Sequence, residues 1–192
     1  MANCLLCSRC VGDTIIWKLV MSRNEVVLTM KPQFLTWTKE YAVGHRGLDA
    51  EHRQLVDAIN EVCSVEYLGC KVDELRPLLE ALTILAVEHF KHENTLLREL
   101  GCLATPLQGT PSAIKNIISL SAVNEHCADH ARALLQLESI IRTYEYDAES
   151  NRGNLGKMLI DWFTDHALER DADLRDALQV YLAHTRNTSA WG

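Results

Sequence analysis

The sequence has no long uncharged apolar segment. A membrane-spanning helix needs about 18 or more consecutive apolar residues with few charges. The most hydrophobic early stretch is interrupted by Lys18 and then by Arg23. The N-terminus also lacks the long apolar core and small-residue cleavage site of a secretory signal. We therefore expect a soluble, cytoplasmic protein with no membrane partner.

An excess of basic residues is also absent. The chain carries 19 lysines and arginines against 26 aspartates and glutamates, which gives a formal net charge of -7 at pH 7. A protein that follows a phosphate backbone usually presents a basic patch or groove. We therefore expect no nucleic-acid partner.

The seven cysteines predict neither a disulfide framework nor a complete metal site. Three of them are spaced as Cys4-x-x-Cys7-x-x-Cys10. This cluster lacks the fourth ligand that a tetrahedral zinc site or an iron–sulfur cluster requires. The other four lie within otherwise helical patterns, and we interpret them as free thiols of a reducing compartment: Cys63, Cys70, Cys102 and Cys127.

Apolar residues recur with a helical period from residue 47 onward, whereas strand-like alternation and internal repeats are lacking. This periodicity, with Asp73 and Ser112 as N-caps, predicts four helices at about 47–64, 73–100, 113–146 and 154–182. Glycines and prolines predict a loop at 101–111. Short connections favour an all-α, up-down-up-down antiparallel four-helix bundle with an irregular N-terminal arm. We assign 31–186 to the bundle, 1–30 to an appendage of uncertain order and 187–192 to a tail.

Five histidines and two carboxylates recur at spacings that would bring them into one bundle core: His52, His89, Glu93, His126, His130, His166 and Asp171. Residues four apart share a helix face, so His89 pairs with Glu93, and His126 pairs with His130. Burying all seven without a cation would cost several kcal/mol for each unpaired charge. The set suits iron better than zinc, which usually closes a four-ligand tetrahedron, or magnesium, which prefers oxygen.

The last pair of this set has an unusual spacing. His166 and Asp171 are five residues apart, which on an ideal α-helix separates them by about 140°. Asp171 therefore either reaches back as a bridging carboxylate or follows a local π-type widening of the helix.

The remaining histidines receive other interpretations. His92 could in principle replace His89, but only His89 lies four residues before Glu93. His45 and His184 lie near predicted helix ends, where we expect solvated side chains.

Four short motifs carry a family resemblance. They are the segment from Gly47 to Leu55 around His52, the His-Phe-x-x-Glu from His89, the His-x-x-x-His from His126 and Trp162-Phe163-x-x-His166-x-x-x-x-Asp171. Together they resemble hemerythrins, specifically the single-domain bacteriohemerythrins, over about residues 34 to 180. The chain departs from that pattern at Glu51, where the family usually has Gln, and at Phe163, where it usually has Leu. The connection between the second and third helices is also enlarged.

The resemblance implies a non-haem centre of two iron ions with an oxo or hydroxo bridge, which binds O2 reversibly for storage, delivery or sensing and is not an enzyme. His52 and His89 would hold the iron with an open position, and His126, His130 and His166 would hold the other. Glu93 and Asp171 would bridge them. Phe163 and Trp162 would line the O2 pocket. The expected partner is O2, with an unidentified O2-consuming protein as a candidate recipient.

Two other classes of function compete with this interpretation. Di-iron oxidases, peroxidases and iron-handling proteins also use bundle cores, but their ferritin-like sites combine about four glutamates with two histidines. Five histidines with two carboxylates favour reversible binding instead. A signalling module would carry a fused output domain, which we do not expect within 192 residues.

Overall fold

The computed structural model describes residues 34–104, 119–148, 150–151 and 153–179, with 101–104 described as backbone only. These residues form four helices and no strand: α1 Arg46–Tyr67, α2 Val72–Ala104, α3 Leu120–Tyr146 and α4 Leu155–Asp165. After α4 the chain forms a π-helical turn, His166–Arg170, and α-helical backbone resumes over 171–179. Within this described part, no helix combines the length and apolar character needed to cross a membrane.

The helices pack side by side around one apolar core. α1 contacts α2 and α4, and α3 contacts the same two helices from the other side. The core contains fully buried leucines and isoleucines from all four helices, among them Leu55, Ile59, Leu82, Leu137 and Leu159. Truncating one such side chain to alanine typically costs about 2–5 kcal/mol. The all-α four-helix bundle is therefore confirmed, while its up-down-up-down order stays a prediction.

Both predicted ends of the second helix are wrong. Asp73 is not the N-cap, because α2 begins one residue before it. The side chain of Glu74 instead accepts the backbone N–H of Lys71 at 2.8 Å, which holds the residue before the helix. The helix also continues through Gly101, since a single glycine inside a helix costs only about 1 kcal/mol.

The third helix begins later than the sequence predicts. Ser119 has an extended backbone, and its hydroxyl accepts the N–H of Ala122, so Ser119 is the N-cap. A continuous helix from Ser112 is therefore wrong, although Ser112 itself lies outside the described residues. Three other predicted segments also lie outside the described residues: the appendage at 1–30, the tail at 187–192 and residues 105–111 of the loop predicted at 101–111.

An irregular arm, residues 34–45, is fixed to the bundle at both ends. Asn60 of α1 accepts the N–H of Leu35 at 2.8 Å and donates to its carbonyl at 2.9 Å. Arg175 donates to the carbonyl of Ala42 at 2.9 Å. These bonds hold the backbone around Tyr41, whose carbonyl contacts the centre described below.

A buried carboxylate from α1 holds the N-terminus of α4. Glu66 accepts hydrogen bonds from the backbone N–H groups of Gly153 at 3.0 Å, Leu155 at 3.1 Å and Gly156 at 2.9 Å. The first N–H groups of a helix have no partner inside it and favour an anion. A Cβ at Gly156 would lie 2.8 Å from the sulfur of Cys63, so glycine permits this close approach of the two helices.

Candidate metal centre

The seven predicted residues meet in the bundle core as two overlapping groups. Within each group, one ligand atom per residue lies within 4.8 Å of all the others. The first group is His52, His89, Glu93 and Asp171, and the second is Glu93, His126, His130, His166 and Asp171. Both carboxylates belong to both groups.

Helix geometry accounts for each contribution. α2 presents His89 and Glu93 four residues apart, with 3.3 Å between His89 Nε2 and Glu93 Oε2. The fourth helix reaches the same point through its π turn, in which the N–H of Asp171 donates to the carbonyl of His166. Asp171 Oδ1 consequently lies 3.2 Å from His166 Nε2. The wider turn thus places on one face two residues that a regular α-helix would separate.

Backbone and side-chain oxygens outside the cluster orient three of the rings. The Nδ1 atom of each donates to one such oxygen: His52 to the Tyr41 carbonyl at 2.6 Å, His89 to Glu51 at 3.2 Å and His130 to Asn94 at 2.8 Å. A neutral ring that carries its proton on Nδ1 presents a lone pair at Nε2. These partners therefore turn three Nε2 lone pairs toward the centre, as in many metal sites.

The donor atoms fit a cation. Among the described residues, seven buried atoms of the centre have no hydrogen-bond partner: both carboxylate oxygens of Glu93 and of Asp171, and Nε2 of His126, His130 and His166. The Nε2 atoms of His52 and His89 lie 3.0 Å apart. When both rings are neutral and carry their protons on Nδ1, the two Nε2 lone pairs repel each other unless a metal ion, or a proton on one of the rings, lies between them. Orphaned buried acceptors of this kind are costly, and metal ions satisfy them.

Burial keeps most of the rings neutral. It lowers the pKa of His130 to about 2, and it lowers the pKa of His89 and of His126. His52 differs: burial lowers its pKa most strongly of any single cause, but its contacts with Asp171, the Tyr41 carbonyl and Glu93 together outweigh burial and raise the pKa. Neutral imidazole is the form that binds metal ions.

The pKa values of the two carboxylates are shifted in opposite directions. Burial and the nearby charge of Asp171 hold the pKa of Glu93 well above its usual range. Asp171 is buried as well, but His166 and His52 outweigh that burial and hold its pKa well below the usual range. Two like charges in one dry site cannot both be stabilised without a counter-ion.

The two aromatic residues predicted at the O2 pocket occupy different surroundings. Phe163 is 3% exposed, and its ring centroid lies 5.8 Å from that of His52. Trp162 donates from Nε1 to the carbonyl of Ala133 and makes an edge contact with Phe90. Phe90 in turn stacks on His130 at 4.4 Å. Phe163 therefore borders the two-histidine group, whereas Trp162 packs behind Phe90.

The other predicted histidines lie outside both groups. His92 is about half exposed, and its Nδ1 lies 2.7 Å from Glu51. His45 is exposed as expected, but its Nδ1 also accepts the N–H of Leu48 and caps α1. His184 lies outside the described residues.

Three of the seven cysteines have described side chains, and all three are free thiols: Cys63, Cys70 and Cys127. Burial and the charge of Glu66 raise the pKa of Cys63 to about 11. Cys4, Cys7 and Cys10 lie outside the described residues, and the side chain of Cys102 is not described.

Sequence reasoning missed the oxygens behind the histidines. Glu51 and Asn94 are adjacent in sequence to His52 and Glu93. That adjacency was the available signal, because adjacent residues on a helix are about 100° apart, so each neighbour flanks the face that carries the ligand. The carbonyl of Tyr41 offered no such signal, because every residue has a backbone carbonyl.

Comparison with known proteins agrees with this geometry. The chain is similar to a protein of Clostridium acetobutylicum named bacteriohemerythrin, with 24% identity over 144 residues that span 73% of this chain and 98% of that protein. The sequence model described as the hemerythrin HHE cation binding domain matches residues 43–178, which contain all seven residues of the centre. The chain therefore belongs to the hemerythrin family of HHE cation-binding domains.

Proposed function

We propose that this protein binds O2 reversibly at a pair of non-haem iron ions held by the seven residues of the centre. The observation that carries the proposal is the unequal division of donors between two groups that share both carboxylates. Three histidines serve one group: His126, His130 and His166. Only His52 and His89 serve the other.

A metal ion with fewer protein ligands keeps a coordination position for an outside molecule. The two-histidine group would hold that ion, and bound iron would supply the electrons that hold O2. Phe163 closes this side as an apolar wall, since its ring contacts both His52 and Tyr41. The chain's own contribution is to orient the imidazoles, share two carboxylates and keep water out.

The donor chemistry supports binding in preference to turnover. Carboxylate-rich centres of ferritin-like enzymes combine about four glutamates with two histidines. With only two anionic side chains, this centre would stabilise the ferric state less and favour return to Fe(II). In keeping with the bacteriohemerythrin relative, we assign the activity to O2 storage, delivery or sensing in a bacterial cytoplasm. An O2-consuming protein would be the recipient.

The test is an anaerobic Fe(II) titration of the metal-free chain, followed by absorbance spectra on addition and removal of O2. We expect saturation at two irons per chain, colour with O2 and return to the colourless state on degassing. A metal analysis of the purified protein that found one zinc ion per chain would contradict the metal assignment. Sustained O2 consumption with permanent oxidation would support the oxidase or iron-handling alternative instead.

Matched variants test the two shared carboxylates. Glu93→Ala and Asp171→Ala should each abolish the paired centre. Glu88→Ala and Asp176→Ala, on the exposed faces of the same helices, should keep both irons. Full iron content in both centre variants would contradict the proposed ligand set.

A further inference from the structure

A surface cavity of about 200 Å³ lies beside the three-histidine group. Its walls come from α2, α3, the π turn and the helical segment that follows. Six of its lining residues are polar or charged: Glu125, His126, Asp129, Glu169, Arg170 and Asp173. We call this cavity the acidic vestibule.

The charges of the vestibule are strongly one-sided. Four carboxylates face a single arginine, and Arg170 lies 3.8 Å from Asp129, which also pairs with Arg132. Among the described residues, none forms an ion pair with the other three carboxylates, Glu125, Glu169 and Asp173. A concave surface with one sign of charge raises the local concentration and the arrival rate of the opposite ion. The vestibule therefore attracts cations and repels anions, and it does not steer neutral O2.

One residue belongs to both the vestibule and the metal centre. His126 lines the cavity and is 9% exposed, while its Nε2 is buried without a hydrogen-bond partner and lies 3.4 Å from Glu93 Oε1. His166, which opens the π turn, is the only other centre residue with comparable exposure, at 8%. The remaining five are at most 1% exposed. The centre is thus closest to solvent on its three-histidine side, which is also the side of the vestibule carboxylates.

We propose that the acidic vestibule is the entrance through which Fe(II) reaches the centre, with His126 as the first centre residue to bind it. Exposed carboxylates would collect the hydrated cation, and the unpartnered Nε2 would receive it beside Glu93. The proposal rests on the metal centre of the proposed function but assigns a separate task to residues outside that centre.

The experiment measures the rate at which Fe(II) enters the metal-free full chain without O2. Stopped-flow mixing with Fe(II) is followed by a chelator quench that counts unbound iron. The vestibule variant is the triple substitution Glu125→Gln, Glu169→Gln and Asp173→Asn. A control triple removes the same charge from exposed carboxylates outside the vestibule lining: Asp57→Asn, Glu61→Gln and Glu80→Gln.

We expect the vestibule variant to load at least about tenfold more slowly than the wild type at low ionic strength. The control should change less than about twofold, and the difference should shrink near 1 M salt, where the screening length is about 3 Å. Final iron content and the O2-dependent spectrum should match the wild type. Equal loading rates in the vestibule variant and the control variant would contradict the proposed entrance. A lower final iron content in the vestibule variant would contradict it as well. A wild-type chain that takes up no iron would instead contradict the proposed function.

Discussion

Replacing Glu66 by alanine should be among the most destabilising single changes outside the metal centre. Its carboxylate accepts three backbone N–H groups at the start of α4. Gly153 is exposed, so water can replace its partner, but Leu155 and Gly156 are buried. A hydrogen bond to a charged group contributes about 1.5–3 kcal/mol net. Losing two of them predicts a fall of about 3–6 kcal/mol in the free energy of unfolding.

A glutamine at the same position should have a smaller effect. Its amide oxygen can still accept two of the N–H groups, but its NH2 would face the third donor, and the negative charge at the helix N-terminus is lost. We therefore expect Glu66→Gln to cost about 1–3 kcal/mol.

The assay is urea unfolding of the metal-free full chain at pH 7, followed by circular dichroism. Glu61→Ala, on the exposed side of the same helix, is the control and should stay within about 0.5 kcal/mol of the wild type. If Glu66→Ala came within about 1 kcal/mol of that control, the contact between α1 and α4 would not have the stabilising role inferred here.

Three further predictions concern the metal centre. Glu51→Ala removes the acceptor behind His89 and should lower metal affinity about 10–100-fold in a chelator competition, and unchanged affinity would contradict its orienting role. Phe163→Ala should cost about 3–5 kcal/mol and shorten the half-life of the O2-bound form, whereas an unchanged half-life in a folded variant would leave water exclusion to another residue. The raised pKa values of Glu93 and His52 keep protons on the metal-free centre to higher pH, so metal binding should release protons. As the pH drops, metal affinity should therefore fall roughly tenfold per pH unit for each proton displaced. A pH indicator in weak buffer measures this release near pH 6, and its absence would contradict the assigned directions.

The bundle and its centre were predictable because both follow from periodicity within single helices. Apolar spacing predicts which faces are buried, and four-residue spacing predicts that His89 and Glu93 share a face. The five-residue step to Asp171 even raised the π turn as one of two alternatives. Contacts between distant parts of the chain carried no such signal. Glu66 binds backbone groups 87 to 90 residues away, and nothing in its neighbourhood distinguishes it from a solvated glutamate.

Helix ends were the least predictable feature, for a related reason. Glycine and serine bias a helix end by only about 1 kcal/mol. Tertiary context readily overrides a bias of that size, and α2 does continue past Gly101.

The π turn can also be described in genetic terms, as the structural equivalent of one inserted codon. Deleting the codon for Leu168, whose side chain is 40% exposed, would leave His166 and Asp171 four residues apart, the spacing at which a regular α-helix already places two side chains on one face. The chain would keep every residue of the centre, and Asp171 would stay with both groups without a π turn. The π turn thus accommodates one extra residue in the chain while it keeps the shared carboxylate on the ligand face.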